Sequence, residues 1–117
     1  MSSINNLIVR AEKVGRYAAD LAHQLNKSVL VSPDSNAHHL GDDAGRLVLE
    51  AYRTYGAEEM KSVVRGYQVG YNARARELGT ENVRLIQIKN GLRQALPGAT
   101  DAELTDIPAA LDTLFLG

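Results

Sequence analysis

The sequence predicts an all-α protein, a small irregular bundle of four to five helices with one long loop around residues 27–41. Three observations lead there. Apolar residues recur at spacings of three and four over most of the chain. The breaks between those runs carry helix stops and starts such as Leu-Gly-Thr and Pro-Gly. Aromatics are sparse, five tyrosines, one phenylalanine and no tryptophan, so a core must come from Leu, Val, Ile and Ala, which suits packed helices.

The first element is set by Ile4, Leu7, Ala11, Val14, Ala18, Leu21 and Leu25, an amphipathic series with Ile8, Gly15 and Ala22 beside it. Ser2 or Ser3 caps it and Asn26 stops it. Its steps of 3.5 also match three heptads, so helix 3–25 is the candidate for pairing with a neighbouring helix or with a second copy of the chain as a homodimer. Val29 to Val31 is β-branched and short, an extended piece at most, and Pro33-Asp34-Ser35-Asn36 reads as a turn-rich loop. A second helix starts at Asp42 or Asp43, buries Ala44, Leu47, Val48, Ala51, Tyr52 and Tyr55, and breaks at Gly56.

A third helix opens on Glu58 and Glu59, runs through Met60, Val63, Val64, Tyr67, Tyr71, Ala75 and Leu78, and ends on Gly79 at the C′ position, about 22 residues or ~33 Å. The fourth is expected at 80–96, capped by Thr80, with Val83, Leu85, Ile86, Ile88, Leu92, Ala95 and Leu96 as its apolar stripe. Thr100 and Glu103 have the spacing of a capping box, and Pro108 is expected to break the last segment into a turn and a short helix ending at Phe115.

One domain accommodates 117 residues, and at that size roughly two-thirds of the unfolded surface is buried without a disulfide or metal staple. The absence of cysteine removes thiol chemistry and the cysteine-containing zinc patterns. No run reaches the ~18 apolar residues of a membrane span, and Glu12 and Lys13 come too early for a signal peptide. The expectation is a cytoplasmic protein with no membrane partner and no cofactor.

Charge is sorted along the chain. Between Lys61 and Arg93 seven basic residues face only Glu77 and Glu81, a local balance of +5, within a total of -1. The last 24 residues have no basic residue and carry Asp101, Glu103, Asp106 and Asp112. Either the acidic end folds against the basic middle, or the middle is kept for an anionic partner.

Three constellations bear on function. Gly66-Tyr67 and Gly70-Tyr71 repeat at four residues, so both glycines share one strip of the third helix. Two interior glycines, each costing ~1 kcal/mol against alanine, call for a close backbone approach, with Gly15, Ala18, Ala19 and Ala22 of the first helix as the facing surface. The functional alternative makes Arg65, Tyr67, Tyr71 and Arg74 a binding hot spot for a protein partner.

Second, Ala75, Gly79, Leu85 and Ile88 hold the positions of a small residue, a turn glycine and two apolar anchors. Over about 20 residues this resembles the helix-turn-helix of DNA-binding proteins. The resemblance implies a recognition helix presenting Asn82, Arg84, Gln87, Asn90 and Arg93, with nucleic acid engaged through the basic segment 61–93. Arg74 departs from the pattern, which buries an apolar residue there, and a Gly-Thr turn between ordinary helices has the same spacing.

Third, Asp34, His38, His39, Asp42 and Asp43 crowd one loop and helix start, a ligand set for a divalent metal or simply a polar loop with a capping aspartate. No nucleophile elbow or phosphate-binding glycine loop is present. The expected function is therefore a non-enzymatic regulatory or inhibitory protein binding a protein complex through helices 57–78 and 80–96. A DNA-binding regulator with a helix-turn-helix at 71–93 is the alternative, and a small metal-dependent enzyme is a third.

Overall fold

In a computed structural model, residues 3–25, 42–80, 82–96 and 98–116 are described. The expected loop around 27–41 and the extended piece at Val29 to Val31 lie outside the described residues. Five helices follow in order: α1 (Ile4–Leu25), α2 (Asp42–Thr54), α3 (Ala57–Leu78), α4 (Leu85–Ala95) and α5 (Asp101–Leu116). Among the described residues there is no strand. They form a compact globule with a radius of gyration of 13.1 Å, the size expected of a folded unit of this length.

The centre of the molecule is the pair α1 and α3. Gly66 faces Ile8, Gly70 faces Glu12, and Arg74 reaches Asp20, so residue numbers rise together and the two helices run parallel. The expected close approach is present. A Cβ on Gly15 would lie against the Tyr67 carbonyl oxygen and 2.8 Å from the Tyr71 amide nitrogen, so main chain meets main chain where all three glycines stand. Beside this seam Ala11, Ala18, Ala19 and Ala22 of α1 are buried. Ile8, Ala11, Glu12 and Gly15, on or beside the apolar stripe of α1, are thus packed against α3.

Helix α2 returns antiparallel to α3 through a two-residue connection. Gly56, at φ 112°, takes a backbone conformation that side-chain-bearing residues rarely adopt, and its amide bonds to the carbonyls of Ala51 and Tyr52 at 3.1 Å. Ala44, Leu47, Val48 and Ala51 are buried as expected, while Tyr52 and Tyr55 are only partly covered. Met60, Val63, Val64, Ile88, Leu92, Ile107 and Leu111 complete the core.

Two expectations about helix ends are corrected. Helix α4 begins at Leu85, five residues later than Thr80. Thr80 instead finishes α3, where Gly79 is left-handed at φ 73° and the Thr80 amide donates to the Ala75 carbonyl at 2.9 Å. The intervening chain is tied down by Asn72, whose side-chain Oδ1 accepts from the Val83 amide at 2.7 Å and whose Nδ2 donates to the Val83 carbonyl at 3.2 Å. Val83 is buried at this junction. Helix α5 is continuous through Pro108, against the expected break. Proline removes one main-chain bond, which a 16-residue helix with buried Ile107 and Leu111 and a capped start outlasts. That start is the expected capping box, Thr100 amide to Glu103 Oε1 at 2.9 Å and Glu103 amide to Thr100 Oγ1 at 3.2 Å.

Candidate functional site: the outer face of α3 and the start of α4

The basic segment is partly neutralised from within. Arg74 pairs with Asp20 at 2.7 Å and with Glu77 at 2.8 Å, and Arg16 joins the same Glu77 at 3.1 Å across the α1/α3 seam. Lys61 meets Glu58, and Lys89 meets Asp112 of α5. The acidic C-terminal helix therefore does fold against a basic residue of the middle segment, while its Glu103 grips Arg53 of α2 through both carboxylate oxygens at 2.7 Å. The Arg53 guanidinium, with the Thr100 amide, holds the Glu103 carboxyl at about 2, well below the usual range. Glu77 is likewise lowered, first by Arg74 and then by Arg16.

What remains unpaired lies on the surface. Arg65, Arg76 and Arg84 are exposed, and none meets a carboxylate among the described residues. At 100° per residue Arg65, Val69 and Arg76 fall within about 40° of one another on α3, opposite its buried side. Val69 is 58% exposed between the two arginines. Arg84 directly follows Val83, whose main chain Asn72 holds, and Arg84 and Ile86 are exposed at the start of α4. Sequence reasoning missed Val69 and Arg76. Their signal was available, because a helix whose opposite face is filled by Met60, Val64, Tyr67 and Tyr71 must turn residues 65, 69 and 76 outward.

The residues expected at a hot spot divide. Arg65 is exposed. Tyr67 and Tyr71 are 2% and 1% exposed, tilted rings 6.3 Å apart between centroids, and both belong to the core rather than to a surface. Gly66 and Gly70, which precede them, bring α1 close beside them. Arg74 is consumed by Asp20 and Glu77. Burial pushes the Tyr67 hydroxyl pKa far up, and that oxygen has no hydrogen-bond partner among the described residues. Tyr67 helps to line a cavity of about 10 Å³ with Ala11, Ala44, Leu47, Val48, Val63, Val64 and Ile88.

The residues of the helix-turn-helix expectation are also placed. Asn82 and Arg84 are exposed but precede α4, Gln87 turns back so that its Oε1 accepts from the Arg84 amide at 2.8 Å, and Asn90 is exposed on α4. The Arg93 side chain lies outside the described residues. A six-residue junction clamped by Asn72 replaces the tight turn of the motif, so Asn82 and Arg84 do not share a helical face with Asn90. His38, His39 and Asp34 lie outside the described residues, as does the Asp42 side chain; Asp43 is exposed. Among the described residues no group of three metal-ligating side chains converges, and no helix is long and apolar enough to cross a membrane.

No protein-family model, no curated protein and no solved structure matches this chain, so its fold and its surfaces alone carry the functional argument.

Proposed function

We propose that the protein is a non-enzymatic regulatory or inhibitory module that binds the acidic surface of another protein through the α3 stripe. The observation that carries this reading is the grouping of Arg65, Val69 and Arg76 on one outward strip, neither arginine having a carboxylate within ion-pair distance among the described residues, while Lys61, Arg74 and Lys89 of the same segment are paired. Arginine around an exposed aliphatic side chain suits a protein interface, where guanidinium groups engage carboxylates and the apolar centre is desolvated. Arg84 and Ile86 are also exposed, at the start of α4. The sequence supports the non-enzymatic part, since it offers no thiol and no nucleophile motif.

The reading is tested by capture of a partner from the source cell, its identification, and reconstitution from purified components with wild type and with Arg65→Glu/Arg76→Glu. The expected result is a salt-sensitive complex that the double reversal abolishes while the circular dichroism spectrum stays helical. A reconstituted complex equally tight with the double variant and with Val69→Asp would remove the stripe from the interface. The nucleic-acid alternative has less support, because Asn82 and Arg84 sit ahead of α4 rather than on it. Binding to duplex DNA at low salt, weakened by Arg84→Ala, would restore it.

A further inference from the structure

A second cationic site lies on the other side of α1, away from the α3 stripe and sharing no residue with it. Arg10, Lys13 and Tyr17 fall on one strip of α1 at spacings of three and four, and all are exposed, Tyr17 at 63%. Across from them α2 contributes Asp43, Arg46 and Leu47. Between the two helices is an open groove of about 430 Å³ lined by Arg10, Lys13, Val14, Asp43, Arg46 and Leu47.

Three cations and one carboxylate among the described residues line this concave space, a local balance of +2. Among the described residues none of Arg10, Lys13 and Arg46 has a carboxylate within ion-pair distance, whereas Arg16, Arg53, Lys61, Arg74 and Lys89 each have one. Two helices thus hold like charges round a cleft whose dimensions are those of small-molecule sites, ~300–1,000 Å³.

We propose that this groove binds a small phosphate monoester. Arg10, Lys13 and Arg46 supply donors for the phosphoryl oxygens, a dianion being the charge that the +2 balance matches. Val14 and Leu47 offer apolar contact for the organic part. Asp43 accepts from a hydroxyl or amine of the ligand and repels a second anionic group, which favours a monophosphate over a longer polyphosphate. The exposed Tyr17 ring, one turn from Lys13, provides a face for a planar substituent.

The test is a nuclear magnetic resonance titration of the full chain with phenyl phosphate, with inorganic phosphate, sulfate and chloride at equal ionic strength as controls. Saturable shifts centred on Arg10, Lys13 and Arg46 are expected for phenyl phosphate, with weaker saturation for inorganic phosphate. Arg46→Gln should weaken binding about tenfold, the usual worth of one charge-assisted contact. Arg65→Glu/Arg76→Glu should leave it unchanged, which keeps this outcome separate from that of the α3 stripe. Linear, unsaturable shifts common to all anions, or binding unaltered in Arg10→Gln/Arg46→Gln, would overturn the proposal. So would binding to vesicles of phosphatidic acid with no response to soluble phosphates.

Discussion

A methyl group on Gly70 would overlap the carbonyl oxygen of Glu12 and lie 2.8 Å from its carbonyl carbon. The neighbour is backbone of another helix and cannot rotate away. Gly70→Ala is therefore expected to lower unfolding free energy by about 3 kcal/mol, overriding the ~1 kcal/mol that alanine normally adds inside a helix. Gly79→Ala is the control. Gly79 has open space and only a left-handed φ, so its loss is about 1 kcal/mol. Urea denaturation of the two variants checks the order; equal losses would show that the α1/α3 contact is looser than described.

Asn72 acts as a two-handed clamp on Val83, donor and acceptor together. Asn72→Asp keeps the acceptor and loses the donor, leaving a carboxylate against the Val83 carbonyl. Each bond to a part-buried main-chain group contributes ~1 kcal/mol, so Asn72→Ala is expected to lose about 2 kcal/mol and Asn72→Asp at least as much. Hydrogen exchange reads the site directly, with the Val83 amide losing its protection in Asn72→Ala, which removes its acceptor, and keeping it in Asn72→Asp, which does not.

The Tyr67 hydroxyl is buried without a partner among the described residues, and the small cavity that Tyr67 helps to line, about 10 Å³, has room for one water at most. Removing it deletes a desolvated polar atom and keeps the ring. Tyr67→Phe is expected to raise stability by about 1 kcal/mol, read as an upward shift of Tm by a few degrees. A fall of similar size would mean that the hydroxyl is bonded in solution.

The Arg53–Glu103 pair predicts a pH dependence. The folded-state pKa of Glu103, about 2, lies below its ordinary value of 4.5, so the folded state binds the proton less readily than the unfolded chain. Its stabilisation is fully present above the ordinary value and is lost as pH falls towards 2. Glu77, lowered by Arg74 and Arg16, acts with the same sign. Glu103→Gln is expected to be less stable than wild type at neutral pH, with the difference shrinking on acidification. Thermal melts across the acid range would show the two curves converging; parallel curves would remove the linkage.

Much of the fold was legible because it depends on local signals. The 3.6-residue periodicity, Gly56, Gly79 and the Thr100–Glu103 box mark ends that the structure keeps, and the Gly66/Gly70 repeat pointed to the close approach of α1. The start of α4 was not legible, since it is decided by Asn72, eleven residues upstream, competing for the main chain of Val83. Pro108 misled because its cost is local while the burial of Ile107 and Leu111 is tertiary. The four residues expected at a hot spot are divided by helical phase. Tyr67 and Tyr71 share the helical phase of the buried Met60 and Val64, which places them opposite Arg65 and in the core. The Arg10, Lys13 and Arg46 groove joins two helices, with Lys13 and Arg46 33 residues apart in sequence, a juxtaposition that no local pattern encodes.

Parallel packing of α1 and α3 also governs the order in which the chain becomes a protein. Its contacts join Ile8 to Gly66 and Asp20 to Arg74, separations of more than fifty residues, whereas most helical proteins of this size are tied together by neighbours in sequence. During synthesis α1 and α2 leave the ribosome with the small-residue seam of α1 uncovered, and nothing closes it until residues 66–75 have been made. The N-terminal half cannot serve as an independent nucleus; folding waits for the third helix, and a nascent chain stopped before Gly66 is an unfinished surface open to degradation.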